Sequence, residues 1–307
     1  MKHLKYIFYL IISLSLLVAC SEDDLNETSI FDTETPELND FDKWIRANYT
    51  EPYNINILYQ FEDKESDNTY NLVPAKYENS VAMAKLIKHL WVDAYGELIG
   101  DDFLKEYSPR LFQFIGSPAY NSSGSIVLGT AEGGLKVTLF NVNMIDVEDP
   151  DLDQLNYWYF KTMHHEFSHI LHQTKSYTTD FNEISASDYM SGSWLNLTEK
   201  QALEKGFISS YGSSETQEDF VELIATFVTN TPEHWEGLLE TAGYGPDEND
   251  PENFPPDTPD GALKILEKFS IVQDYLLVEW EIDIVKLREI VMRRTAEVAD
   301  MDLKNLN

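Results

Sequence analysis

The run from Tyr157 to His172, YWYFKTMHHEFSHILH, constrains this chain more than any other stretch. Residues four apart on an α-helix lie one above the other, so His165 and His169 can present imidazole nitrogens to a single ion. Glu166 is rotated about a quarter turn from that pair, which places a carboxylate beside the ion without making it a ligand. The apolar residues Tyr157, Phe160, Met163, Phe167, Ile170 and Leu171 recur at helical intervals, so the helix is expected to be buried and its histidines held. With 7 His in 307 residues, chance would produce this spacing on the order of once in a hundred such chains, too seldom for coincidence to be the preferred explanation.

The pentapeptide His165-Glu-Phe-Ser-His169 fits the H-E-x-x-H pattern of zinc hydrolases, in which two histidines bind Zn²⁺ and the glutamate acts as general base. A catalytic zinc takes three protein ligands and keeps a fourth position open. The extended pattern H-E-x-x-H-x-x-G-x-x-H is excluded, because positions 172 and 175 are His172 and Lys175. Downstream, a loop followed by an amphipathic helix beginning near Ser214 carries the apolar stripe Phe220, Leu223, Ile224, Phe227 and Val228. Glu218 and Glu222 share one face of that helix, and paired carboxylates with no basic neighbour in sequence call for a cation between them. Glu218 is therefore read as the third ligand and Glu222 as an acceptor orienting a ligand histidine. Glu222 itself, or Glu183, remains open as the ligand. His164 and His172 flank the motif and offer another register, but only 165–169 puts Glu in second position.

The two segments together resemble the glutamate-liganded zincins, and in particular the lethal-factor type of peptidase, where a Tyr-Gly pair stands seven positions before the ligand Glu of an E-x-x-x-E helix. Tyr211-Gly212 stands seven before Glu218. The resemblance implies that the Tyr211 phenol donates a hydrogen bond to the oxyanion of a tetrahedral intermediate, and that the substrate is a peptide or protein.

The amino terminus carries a second signal. Lys2 and Lys5 precede an apolar run from Tyr6 to Val18, which ends in Leu17-Val-Ala-Cys20. At about 13 residues the run is short for a bilayer span. It resembles a bacterial lipoprotein signal peptide, which implies cleavage after residue 19 and lipidation of Cys20. Cys20 is the single cysteine, so a disulfide framework is excluded and stability must come from a core. Ser21-Glu-Asp-Asp24 resembles the acidic tag that directs Bacteroidetes lipoproteins to the outer face of the outer membrane. Residues 20–38 then read as an acidic tether. A formal net charge of −32 argues against nucleic acid as a partner.

Residues 39–307 are expected to form one domain. Ile55–Tyr59, Ser125–Leu128 and Leu135–Val142 read as strands, and Val81–Tyr95, Ala262–Val278 and Ile284–Ala299 as helices. The proline- and acid-rich stretch 243–261 reads as a connecting loop. Strands followed by metal-bearing helices fit an α+β zincin-like fold, with a small mixed sheet beside the active-site helix. An edge strand of such a sheet commonly holds peptide substrate, and residues 135–143 are the expected one. The whole chain, with its lipobox and its Phe41-Asp-Lys-Trp-Ile-Arg opening, also resembles the zinc metallohydrolase lipoproteins of Bacteroidetes associated with import through TonB-dependent transporters. That likeness implies a transporter partner. It also leaves open a non-catalytic lipoprotein that captures peptide or glycan for the transporter, and a hydrolase acting on non-peptide amides.

Overall fold

The computed structural model describes residues 37–307, apart from 68, 121–123, 125, 128, 133–134, 244–260 and 307. Its first element, α1 (residues 40–53), begins with a capping box between Asn39 and Asp42 and passes through a π-helical segment at Arg46–Thr50. Phe41, Ile45, Tyr49 and Tyr53 are buried at intervals of four. A strict α-helix would rotate such a series steadily off one face, and the wider π turn brings Tyr49 and Tyr53 back onto it.

After β1 (Asn56–Leu58), helix α2 (residues 77–99) and helix α3 (Asp101–Tyr107) form the crossover to β2 (Leu111–Phe114). β3 (Ala119–Tyr120) and β4 (Ile126–Val127) pair only with each other. β5 (Gly129–Glu132) and β6 (Lys136–Leu139) complete the main sheet, whose order is β1-β2-β6-β5. The first three strands are parallel, with Phe112 opposite Val137, and β5 runs antiparallel to β6. The sheet is therefore small and mixed, as expected. The stretch around Leu135 is not an edge, however: β6 is flanked on both sides, and β1 and β5 are the two edges of this sheet among the described residues.

Phe112 and Phe114 point from the sheet into the main core. There Trp91 of α2 meets Phe112 edge-on at 5.9 Å and Phe167 at 5.1 Å. Phe167 belongs to α4 (residues 152–174), which carries the histidine motif and likewise contains a π segment, Asn156–Phe160. Leu155, Tyr159, Met163, Phe167 and Leu171 form its core stripe, all essentially inaccessible. β5 lies directly against this helix: a Cβ on Gly129 would stand 2.6 Å from Thr162 Cγ2 and 3.1 Å from the Thr138 carbonyl oxygen. The absence of a side chain is what allows the edge strand to approach.

The second half is helical: α5 (Asp180–Ile184), α6 (Glu199–Lys205), α7 (Thr216–Thr229), α8 (Pro232–Thr241), α9 (Gly261–Trp280) and α10 (Ile284–Glu297). From Asp219 to Thr229 every residue of α7 is buried, so this is the central helix of that half. Asp219 is fully buried and pairs with the equally buried Lys268 of α9 at 2.6 Å. Tyr189 donates to the same carboxylate oxygen at 2.8 Å, and Lys268 also donates to the Gly206 carbonyl. The lysine lies 4.3 Å from the centre of the Phe207 ring. Burial raises the Asp219 carboxyl to about 6 even against this lysine, and burial lowers the Lys268 ammonium.

Removing one member of this pair leaves a charge in the core. Lys268→Met is expected to destabilise the protein by about 3–5 kcal/mol, whereas Lys268→Met with Asp219→Leu should recover most of the loss. Urea denaturation followed by tryptophan fluorescence would measure both.

Candidate metal centre

The motif helix α4 and the buried helix α7 pack face to face. His165 and His169, on one face of α4, meet Glu218 in the first turn of α7. Glu218 Oε2 lies 3.0 Å from His165 Nε2 and 3.4 Å from His169 Nε2. One donor atom from each of the three residues lies within 4.8 Å of the other two. That carboxylate oxygen is shielded from solvent and converges on the two imidazole nitrogens. A shielded carboxylate oxygen beside two imidazole nitrogens is a donor set that a divalent cation satisfies.

The donors are held from behind. Glu222, one turn along α7, accepts from His165 Nδ1 at 2.9 Å through Oε1. Its other oxygen takes Lys161 Nζ at 2.8 Å and Ser209 Oγ at 2.5 Å. The carboxylate pair is thus not without a basic partner: Lys161, one turn before His165 on α4, meets Glu222. His169 Nδ1 is 3.0 Å from His172 Nε2, so the third histidine of the face orients the second. Its spacing of three from His169 was visible in the sequence as an alternative ligand register; the structure makes it a support. His164 turns to the opposite face, where its Nδ1 meets the Tyr95 hydroxyl at 3.2 Å. Glu183 is exposed on α5, beside Leu263 and Lys264, and does not join the cluster.

Burial would depress the His165 imidazole, but the carboxylates on its two nitrogens push it up to about 10. Burial raises the Glu218 carboxyl, and the two imidazoles more than reverse this, to about 2. Glu222 is also held low despite burial, by Lys161 and His165. Burial lowers His172 to about 4, with a further contribution from His169, so it stays neutral at pH 7.

Glu166 is half-buried beside the cluster, and burial raises its carboxyl against the pull of His165 and His169. Tyr211 lies in the turn Tyr211–Ser213 ahead of α7, its ring stacked near His165 with centroids 5.9 Å apart. The turn is fixed by serines. Ser209 Oγ accepts from Gly212 N while donating to Glu222, and Ser210 is bound by Glu199 through both its backbone N–H and its hydroxyl. Burial and the Glu218 carboxylate both raise the Tyr211 phenol, so it is a proton donor at any ordinary pH.

Residues 34–285 match the model of a family described as "putative zinc-binding metallo-peptidase". The chain belongs to that family. A crystal structure from Bacteroides caccae carrying the same description is 38% identical, with a TM-score of 0.73 over 91% of this chain and the whole of the other. No curated protein matches the chain. The family description agrees with the donor set, since two imidazoles and a carboxylate are ordinary zinc ligands. It is also consistent with the α+β architecture read from the sequence. Cys20, the expected signal peptide and most of the expected tether lie outside the described residues, as does most of the 243–261 stretch expected to be a loop. Among the described residues no helix is long and apolar enough to cross a membrane.

Two outcomes are expected for this member of the family. With His165 protonated at neutral pH in the metal-free protein, zinc must displace its proton, so affinity should rise about tenfold per pH unit per proton displaced between pH 6 and 9. Calorimetry in buffers of different ionisation enthalpy would show release of at least one proton. His172→Phe and Glu222→Ala should each weaken zinc binding by about 10–100-fold, measured by competition with a chromophoric chelator.

Proposed function

We propose that this protein is an active zinc peptidase anchored to the outer membrane through Cys20, facing the cell exterior. The observation that carries the reading is the flanking of the His165, His169 and Glu218 cluster by two groups with no evident structural duty, Glu166 and Tyr211. A site serving only to brace the fold has no use for a raised carboxylate beside its ligands.

His165, His169 and Glu218 would hold zinc, which when bound supplies Lewis acidity to polarise a carbonyl and to acidify a water. Glu166 takes the proton of the attacking water and returns it to the leaving amine; its raised pKa brings it closer to the working pH for both transfers. Tyr211, kept protonated by burial and by Glu218, donates its hydroxyl hydrogen to the oxygen that gains charge as the carbonyl carbon becomes tetrahedral. Glu222 and His172 keep the two imidazoles in a single orientation throughout. The open backbone of β5, pressed against α4 at Gly129, suits an extended substrate added as a further strand. Peptides released at the surface would then be available to a TonB-dependent transporter.

A diverse peptide library incubated with the protein and zinc, read by mass spectrometry, tests the reading. Glu166→Gln should retain zinc and lose at least about 100-fold in turnover. Tyr211→Phe should lose about 100-fold in kcat with little change in KM. Full turnover by the Glu166→Gln variant would remove the base from the scheme.

A further inference from the structure

The segment 189–198, YMSGSWLNLT, contains no charged residue, and neither does 206–214, GFISSYGSS. In a chain that is 25% charged with an excess of acid, two such segments meeting at the metal cluster are informative. The first forms the 3₁₀ turn Ser191–Asn196, and the second carries Tyr211. They are fastened by backbone hydrogen bonds from Met190 N to Ser213 O at 2.7 Å and from Ser191 N to Ser214 O at 3.1 Å. Ser191 takes a positive φ of 50° to begin the turn, so the path is well determined. The Trp194 ring meets the Tyr211 ring edge-on at 5.0 Å, and Tyr211 in turn stacks near His165. Leu195, next in the turn, is 51% exposed, and Tyr211 is 38% exposed.

Isolated exposed apolar residues need no explanation. Here the exposed Leu195 follows the half-buried Trp194 on a turn fastened to the one that carries Tyr211 beside the metal cluster, and no charge lies within either segment. We propose that Trp194, Leu195 and Tyr211 form the wall of an apolar subsite that selects peptide substrates with a large aliphatic or aromatic side chain beside the scissile bond. The inference rests on the peptidase reading and adds its substrate class. An indole and a leucine offer contact area to an apolar side chain and nothing to pair with a lysine, an arginine or an acid. The protein's acidity therefore does not set selectivity at this wall, even though it would favour cationic peptides at longer range.

Two measurements test the proposal. In the first, the zinc-loaded Glu166→Gln protein is titrated with blocked peptides differing at one position flanking the scissile bond, as Phe, Leu, Lys or Asp. The Phe and Leu peptides should bind about tenfold more tightly than the Lys and Asp peptides. Adding Trp194→Ala and Leu195→Ser should reduce that difference below about twofold, with zinc affinity unchanged. The second is library cleavage by the wild type, in which Phe, Leu, Tyr or Met should be enriched at that same position. Cleavage without that enrichment, enrichment of Lys or Arg, or a preference that survives in the Trp194/Leu195 variant would each overturn the apolar subsite while leaving the peptidase standing. Zinc-loaded protein that neither binds nor cleaves any peptide would overturn the peptidase reading and the subsite with it.

Discussion

His165 has a carboxylate on each side of its ring, Glu218 at Nε2 and Glu222 at Nδ1, and both come from one face of α7. The rest of the site depends on this pairing. It fixes the rotation of α4 against α7, which in turn sends His169 toward Glu218 and His172 in behind it. The same rotation carries Phe167 and His164 to the opposite side, against Trp91 and Tyr95. A slip of one residue in either helix would put an imidazole into the aromatic core and a phenylalanine among the carboxylates, and both are costly enough to exclude it.

Placing so many acids on a buried helix is unfavourable unless each finds a partner. The chain solves this twice. Asp219 meets Lys268 from α9, and Glu222 meets Lys161 from α4. Of these three acids, Glu218 is the one that meets no lysine. The acid of this helix without a lysine is thus the one facing the two imidazole nitrogens.

Much of this was legible in the sequence because metal chemistry uses short fixed spacings. His165, His169 and Glu166 follow from helix geometry alone, and Glu218 with Glu222 from a second i, i+4 pair; the structure brings the five together. Lys161, four before His165, shares the ligand face, but the sequence does not tell that this turn meets Glu222 of α7. His172 was noticed for the wrong reason, because ligand and support use the same residue type at the same kind of spacing. Helix α1 was overlooked although Phe41, Ile45, Tyr49 and Tyr53 mark its face, since an interval of four held over three steps is not an α-helical period and requires the π turn to be seen first. Strand β2, Leu111–Phe114, is buried on both faces and so lacks alternation. The order of β5 and β6 is a property of pairing, which no local pattern carries, and the inner strand is the more apolar of the two and so attracted the substrate-edge reading.

The two imidazoles are supported unequally, by a carboxylate behind His165 and a neutral imidazole behind His169. A carboxylate at both places would be the simpler way to make each ligand a stronger donor. It would also bring another buried negative charge close to Glu166, whose carboxyl is already raised by burial and by Glu218 and Glu222. A further anion would raise it more, leaving less of Glu166 ionised at neutral pH. A neutral acceptor at position 172 orients His169 without that effect. Lys161 acts in the same sense, offsetting the charge of Glu222 on the side away from Glu218. With Zn²⁺ among the three donors, the charges of Glu218, Glu222 and Lys161 sum with the ion to one positive charge, which an ionised Glu166 balances. On the proposed mechanism, the inequality of the supports lets a site this rich in carboxylates keep Glu166 free to accept a proton.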